Sequence, residues 1–339
     1  MQKGKKKYLI IAIVLFAIAI SYLILLFVPR PVSYEGDNPL IVDSCQLPRP
    51  IAHRGGAGEY PENTLEAFYN AYSIYEGFIL ETDVNITKDG VLILCHETSL
   101  DDTTDRTGEI IDWNYTDLIS ERVNFGYKNS DGELTLYTND EGVAVLPSSL
   151  PGCPEGLDGR DATIYLATTL EELLVEFPNS VISVEIKQED EAGESAAREL
   201  VRLVDEYDAF DRVILATYHS EVRDELQDAL ENIGEDGALT TPALASNVAF
   251  IALDILGLDA LYDADVAAIH IPTESLGFDL ATEDLIATAH KHNIAVHYHT
   301  VDDEETMLRL IEIGADGIMT DRPSVIIDLY SRIPMPIVE

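Results

Sequence analysis

The chain has 339 residues, 46% apolar and 24% charged, and its 62 Asp and Glu against 21 Lys and Arg give a formal charge of −41. That balance excludes a nucleic-acid partner held through phosphate contacts, and the apolar share excludes a disordered acidic tail. Three cysteines, Cys45, Cys95 and Cys153, are too few for a disulfide scaffold and lack the C-x-x-C spacing of a structural zinc site.

The N-terminus departs from this average. Residues 1–7 form a basic stretch with Lys3, Lys5, Lys6 and Lys7, and no acid precedes Glu35. Residues 8–28 are a run of 21 without charge, Gly or Pro. As a helix at ~1.5 Å per residue the run spans roughly 32 Å, enough to cross a bilayer and longer than the apolar core of a cleavable signal peptide. A single uncleaved transmembrane helix is therefore expected, with a buried core helix as the other reading. The four lysines place the N-terminus in the cytoplasm and the acidic body outside it or in a lumen. Residues 29–49 contain Pro and lack periodicity, which reads as a linker to a domain over 50–335. In an oxidising compartment Cys45 of the linker is a candidate to bridge Cys153.

Within the domain, short apolar runs at 50–52, 78–84, 181–186, 213–216, 237–239, 267–271, 294–299 and 317–319 read as strands. Helical patterns fall between them at 65–75, 194–207, 221–231, 282–292 and 303–313. Thr282 and Asp302 or Asp303 are suited to be N-caps, and Gly314 is suited to close the last of these helices. Strict alternation implies parallel pairing, and eight repeats fit an α/β fold of the (β/α)8 TIM-barrel type, with a doubly wound open sheet as the competitor. The interval 85–180 breaks the rhythm and requires a long insertion between strands 2 and 3, at about 97–168, after a short extra strand at 91–94. Such an excursion is expected over the barrel mouth.

Glu81 and Asp83 are two apart on the second strand and share a face. An acid closing a hydrophobic strand is costly unless paired or metal-bound, and Glu185 repeats the pattern on the third strand with Lys187 two residues on. Three carboxylates at adjacent strand ends make an oxygen-rich site for one hard divalent cation, Mg2+ or Ca2+. A salt-bridge cluster with Lys187 and Arg54 is the alternative. His53 follows the first strand and His96 the extra strand, so two imidazoles flank the acids as candidate general base and general acid. Gly55, Gly56 and Gly58 permit a tight turn beside a ligand. Asn63 and Glu66 have capping-box spacing, which leaves Glu62 for the site. Cys95 reads as a buried apolar thiol.

His53-Arg54-Gly55, Pro61-Glu62-Asn63-Thr64, Glu81-Thr82-Asp83-Val84, Lys88-Asp89-Gly90-Val91, His96-Glu97, Glu185-Ile186-Lys187 and Gly317-Ile318-Met319-Thr320-Asp321-Arg322-Pro323 stand in an order and spacing that resembles the glycerophosphodiester phosphodiesterase family. The resemblance covers about residues 50–330. It implies a metal-dependent barrel that hydrolyses glycerophosphodiesters to glycerol 3-phosphate and an alcohol. By position it implies metal ligands Glu81, Asp83 and Glu185, base and acid His53 and His96, and phosphate contacts from Arg54 and Lys187. Glu62 would be a further metal ligand or bind a glycerol hydroxyl. The chain departs from the family pattern at Glu97, where Asp is usual, at Asp102, where Arg is usual, and at His299, where Trp is usual; these bear on the organic part of the substrate. Beside the first reading stand a lysophospholipase D- or sphingomyelinase-like activity on membrane lipids and a non-catalytic surface-binding barrel.

Overall fold

The computed structural model describes residues 28–43, 45–121 and 166–333 without a break, together with scattered positions before 28 and residues 123, 125, 127–128 and 134–135. All eight expected strands form: β1 Arg49–Ala52, β2 Ile79–Ile86, β3 Ile182–Ile186, β4 Val213–Thr217, β5 Leu239–Thr240, β6 Ala268–Ile271, β7 Ala295–Tyr298 and β8 Gly317–Thr320. They lie side by side and parallel in chain order, and β8 returns to β1 with Arg49 opposite Gly317 and Ala52 opposite Thr320. Between β5 and β6 a single main-chain bond, Ala267 N to Thr240 O at 2.9 Å, bridges the remaining gap. The result is a nearly closed eight-stranded parallel barrel, and the open sheet is excluded.

One helix follows each strand: α1 Leu65–Ile74, α2 Leu170–Glu176, α3 Asp190–Glu206, α4 Ser220–Ile233, α5 Leu244–Ile255, α6 Glu283–Lys291, α7 Glu304–Glu312 and α8 Pro323–Arg332. The hydroxyl of Thr282 accepts from Leu285 N and the carboxylate of Asp303 from Thr306 N, so both cap as expected. Gly314, at φ +79°, follows α7 in the left-handed conformation that ends a helix. The start of α1 corrects the sequence reading. Thr64, not Asn63, is the N-cap and accepts from Ala67 N, while Asn63 turns at φ +57° toward the barrel interior.

Apolar side chains form one large core between strands and helices, with Phe68, Leu80, Val184, Leu215 and Phe250 buried in it. A second cluster fills the inside of the barrel at the N-terminal ends of the strands, where Ile51, Ile79, Ile214, Leu239 and Ala295 surround Leu40. The polar site occupies the opposite, C-terminal end, as barrel geometry favours.

Leu40 belongs to the expected linker, and its burial corrects that reading: residues 29–49 are aperiodic yet docked beneath the barrel. The Ser33 main chain donates its N–H to His292 O at 2.8 Å and accepts at its carbonyl from Val266 N at 2.9 Å. Asn38 Nδ2 donates to both Ala267 O and Asn293 O at 2.7 Å. Before it, the described positions 8, 11, 13–16, 20–23 and 25 are helical. No helix among the described residues is long and apolar enough to cross a membrane, and the expected 8–28 span falls partly outside them.

In the insertion the extra strand, Leu92–Leu94, pairs antiparallel with β2. A short helix, Tyr115–Ser120, follows, and Tyr127–Lys128 pairs with Leu134–Thr135. Residues 136–165, including Cys153, lie outside the described residues. Cys45 is exposed and Cys95 buried.

Candidate active site

β2 and β3 run in register with Asp83 opposite Glu185. Glu81, Asp83 and Glu185 therefore converge: one carboxylate oxygen from each lies within 4.8 Å of the others. Arg54, at φ +53° in the turn after β1, donates its main-chain N–H to Glu81 Oε2 at 2.8 Å. Its guanidinium reaches Glu62 Oε2 and Asp83 Oδ2, each at 3.1 Å. Lys187 Nζ lies 2.7 Å from Glu185 and 3.6 Å from Asp83. All eight expected site residues are brought to this end of the barrel.

The ion pairs of the alternative reading are present, but they leave a surplus. Four carboxylates share two side-chain cations, and the Glu81 carboxylate accepts from the Arg54 main-chain amide. Burial, followed by the Asp83 charge, pushes the Glu81 carboxyl up to about 8. Burial also raises Glu185 despite Lys187, whereas at Asp83 the effect of burial is outweighed by Arg54 and Lys187, and its carboxyl falls below the usual range. Two buried carboxylates and a partly buried third, carrying with Glu62 more negative charge than Arg54 and Lys187 offset, fit a hard divalent cation.

Both imidazoles are anchored through the same atom. His53 Nδ1 lies 2.6 Å from Asp321 Oδ1 and His96 Nδ1 lies 2.8 Å from Glu97 Oε1. A carboxylate on Nδ1 favours the tautomer with the proton there and leaves Nε2 available for proton transfer. Burial lowers the His53 pKa, but the Asp321 bond and the Glu81 charge overcome it and the net direction is up.

Several supporting residues escape the sequence reading. Asn63 Oδ1 accepts from Thr82 Oγ1 at 2.8 Å and Asp83 N at 3.1 Å, while its Nδ2 donates to Asp83 Oδ2 at 3.1 Å. Asn85, which with Ile86 and Thr87 has the N-x-T spacing of a glycosylation acceptor, is fully buried. Its Nδ2 donates to Cys95 O at 2.7 Å and Glu97 O at 3.0 Å, fixing the chain on either side of His96. Asp302 accepts from Asp321 N at 2.8 Å and so positions the residue that orients His53. Gly56, at φ +106°, sits where a Cβ would meet Pro323 at 2.6 Å, so this close approach requires Gly. Cys95 is as expected: burial pushes its thiol up to about 12.

At the substituted position, His299 Nε2 lies 3.3 Å from the Tyr218 hydroxyl, and the Tyr218 ring lies 5.6 Å from Lys187 Nζ. The mouth therefore keeps an aromatic ring, contributed by the end of β4.

Comparison with known proteins gives one family. Residues 53–325 match the model of the glycerophosphoryl diester phosphodiesterase family. A glycerophosphodiester phosphodiesterase of Bacillus altitudinis is 24% identical over 80% of this chain and 94% of its own length. The lysophospholipase D GDPD1 of Mus musculus is 25% identical over 84% and 87%. Among solved structures, a glycerophosphoryl diester phosphodiesterase domain from Mycobacterium tuberculosis superposes with a TM-score of 0.60 at 16% identity, covering 84% of this chain and 100% of that one. An Oleispira antarctica phosphodiesterase in complex with the product sn-glycerol-3-phosphate gives 0.58 at 19%, covering 84% and 97%.

Proposed function

Because the chain belongs to the glycerophosphoryl diester phosphodiesterase family and is thereby a phosphoric diester hydrolase, we propose that it converts glycerophosphodiesters to glycerol 3-phosphate and an alcohol with one divalent cation, Mg2+ or Ca2+. The observation that carries this reading is the convergence of Glu81, Asp83 and Glu185 between Arg54, Lys187 and two carboxylate-anchored imidazoles. The three acids would hold the cation, which when bound supplies positive charge to the phosphate oxygens. Arg54 and Lys187 add to that charge from the protein side as the phosphate gathers negative charge.

His53 accepts the proton of the attacking oxygen at Nε2, and the negative environment that raises its pKa strengthens it as a base. His96 gives a proton to the departing alcohol. Asp321 and Glu97 keep each ring in orientation throughout. Glu62 holds the Arg54 guanidinium at 3.1 Å, which favours a role in presenting Arg54 or a glycerol hydroxyl.

Similarity to a lysophospholipase D supports a second reading, in which the diester still carries an acyl chain. The apolar run at 8–28 and the lysines before it support a single-pass anchor with a cytoplasmic N-terminus and the barrel on the other side. Product analysis with glycerophosphocholine, lysophosphatidylcholine and sphingomyelin, with and without Mg2+ or Ca2+, tests the reading. Glycerol 3-phosphate from the first substrate is expected. Exclusive turnover of either lipid would refute it.

A further inference from the structure

We infer that the docked segment 28–48 holds the barrel bottom-down on the bilayer that anchors the chain, so that the mouth opens away from that bilayer and takes water-soluble, deacylated glycerophosphodiesters. The inference rests on the hydrolase and anchor readings above and names the substrate class within them.

The segment is fixed along its length to one end of the barrel. Arg30 is ion-paired with Asp259, and His292 Nδ1 meets Pro31 O at 2.9 Å. Asn293 Nδ2 donates to Tyr34 O at 2.7 Å and Gly36 O at 2.9 Å, and Val42 N donates to Asp316 Oδ1 at 3.0 Å. Leu40, 1% exposed, plugs the barrel interior. Every one of these partners precedes or begins a strand, which is the end opposite the acids. β1 alone carries the chain roughly 13 Å from Arg49 to His53 at ~3.3 Å per residue.

A free linker of twenty residues would let the barrel tumble and bring its mouth to the lipid. This one leaves almost no free length: Arg30, two residues past the apolar run, is already ion-paired with Asp259, and within the run the Tyr22 hydroxyl donates to Leu256 O at 2.7 Å. A second observation agrees. Around that exit Val32, Ile255, Leu256 and Leu261 are exposed, an apolar collar suited to the lipid boundary. The rival contact is at the mouth. There the hairpin Glu274–Ser275/Phe278–Asp279 carries Leu276 at its tip, 96% exposed. The apolar face of α5 also continues upward through Val248 and Leu244, which would suit a barrel lying on its side.

The test uses the full chain in phosphatidylcholine vesicles containing a headgroup-labelled nitroxide quencher. One fluorophore is placed on Cys45, an exposed thiol of the docked segment, in a Cys153→Ser background. Another is placed on Leu276→Cys in a Cys45→Ser, Cys153→Ser background. At least threefold stronger quenching at position 45 is expected, with glycerophosphocholine hydrolysed at least tenfold faster than lysophosphatidylcholine residing in the same bilayer. Equal quenching at both positions, or stronger quenching at 276, overturns the orientation, as does failure of the protein to float with vesicles. Equal turnover of the two substrates with the expected quenching overturns the substrate class. Hydrolysis of neither, with the expected quenching, overturns the hydrolase reading and leaves the orientation standing.

Discussion

Glu81 is buried beside Asp83 with its carboxyl pushed up to about 8, above the usual value of 4.5. A folded-state pKa above the unfolded one means that its stabilisation is full below the unfolded value and is lost as pH rises through the folded one. In chelator, the melting temperature should therefore fall between pH 5 and pH 8, and Glu81→Gln should remove much of that fall, worth on the order of a few kcal/mol. Glu185 acts in the same direction, while the lowered Asp83 titrates below this window. An unchanged pH dependence in Glu81→Gln would contradict the assignment. Asp321 raises the His53 pKa, so Asp321→Asn should move the acidic limb of the kcat/KM profile to lower pH as well as reduce the rate. An unmoved limb would show that His53 is not the base. His96→Ala should lose much of its activity on glycerophosphocholine and recover it on a p-nitrophenyl phosphodiester, whose phenolate leaves without a proton. His53→Ala should stay impaired on both, and the reverse pattern would exchange the two histidines. The acids and histidines were legible because each lies on or just after a short apolar strand, where an ionisable group is costly. Asn63, Asn85 and Asp321 were not, since their roles are hydrogen bonds to residues up to 268 positions away, and an amide at a helix start looks like a cap.

Among the elements, all eight strands were legible because fully buried strands read as short apolar runs between helical patterns. Helix α5 was missed because apolar residues lie on its exposed face as well as its buried one: Phe250 is buried, while Leu244, Val248 and Ile255 are exposed. Its sequence lacks the polar stripe that marks a surface helix. Pro323 drew α8 into a motif instead of marking its first turn. The docked segment resembles a tether in sequence for a related reason. It is held by main-chain groups and by Asn38 and Asn293, which leave no periodicity in hydropathy. Leu40, 1% exposed, is a deeply buried apolar anchor of the segment, and Leu40→Ala should cost roughly 2–4 kcal/mol in urea unfolding, as large-to-small core changes do. A loss below about 0.5 kcal/mol would show that the segment is not part of the folded barrel.

For the whole molecule, a formal charge of −41 makes self-repulsion a general term in stability. Added NaCl screens exposed charges beyond about 10 Å at 0.1 M. The melting temperature should rise with NaCl at constant divalent concentration, and a flat response would show that the acids are arranged to avoid one another. The same excess concentrates divalent cations near the barrel, where Glu81, Asp83 and Glu185 form a buried site. Their chemistry can be followed by 31P NMR on glycerophosphocholine, with protein stripped by chelator and then given Mg2+ or Ca2+. The phosphomonoester resonance of glycerol 3-phosphate should grow only after the metal is restored, and not at all with Asp83→Ala. Phosphocholine as the product, or an undiminished rate in chelator, would contradict the assignment of this site as a metal-dependent glycerophosphodiesterase.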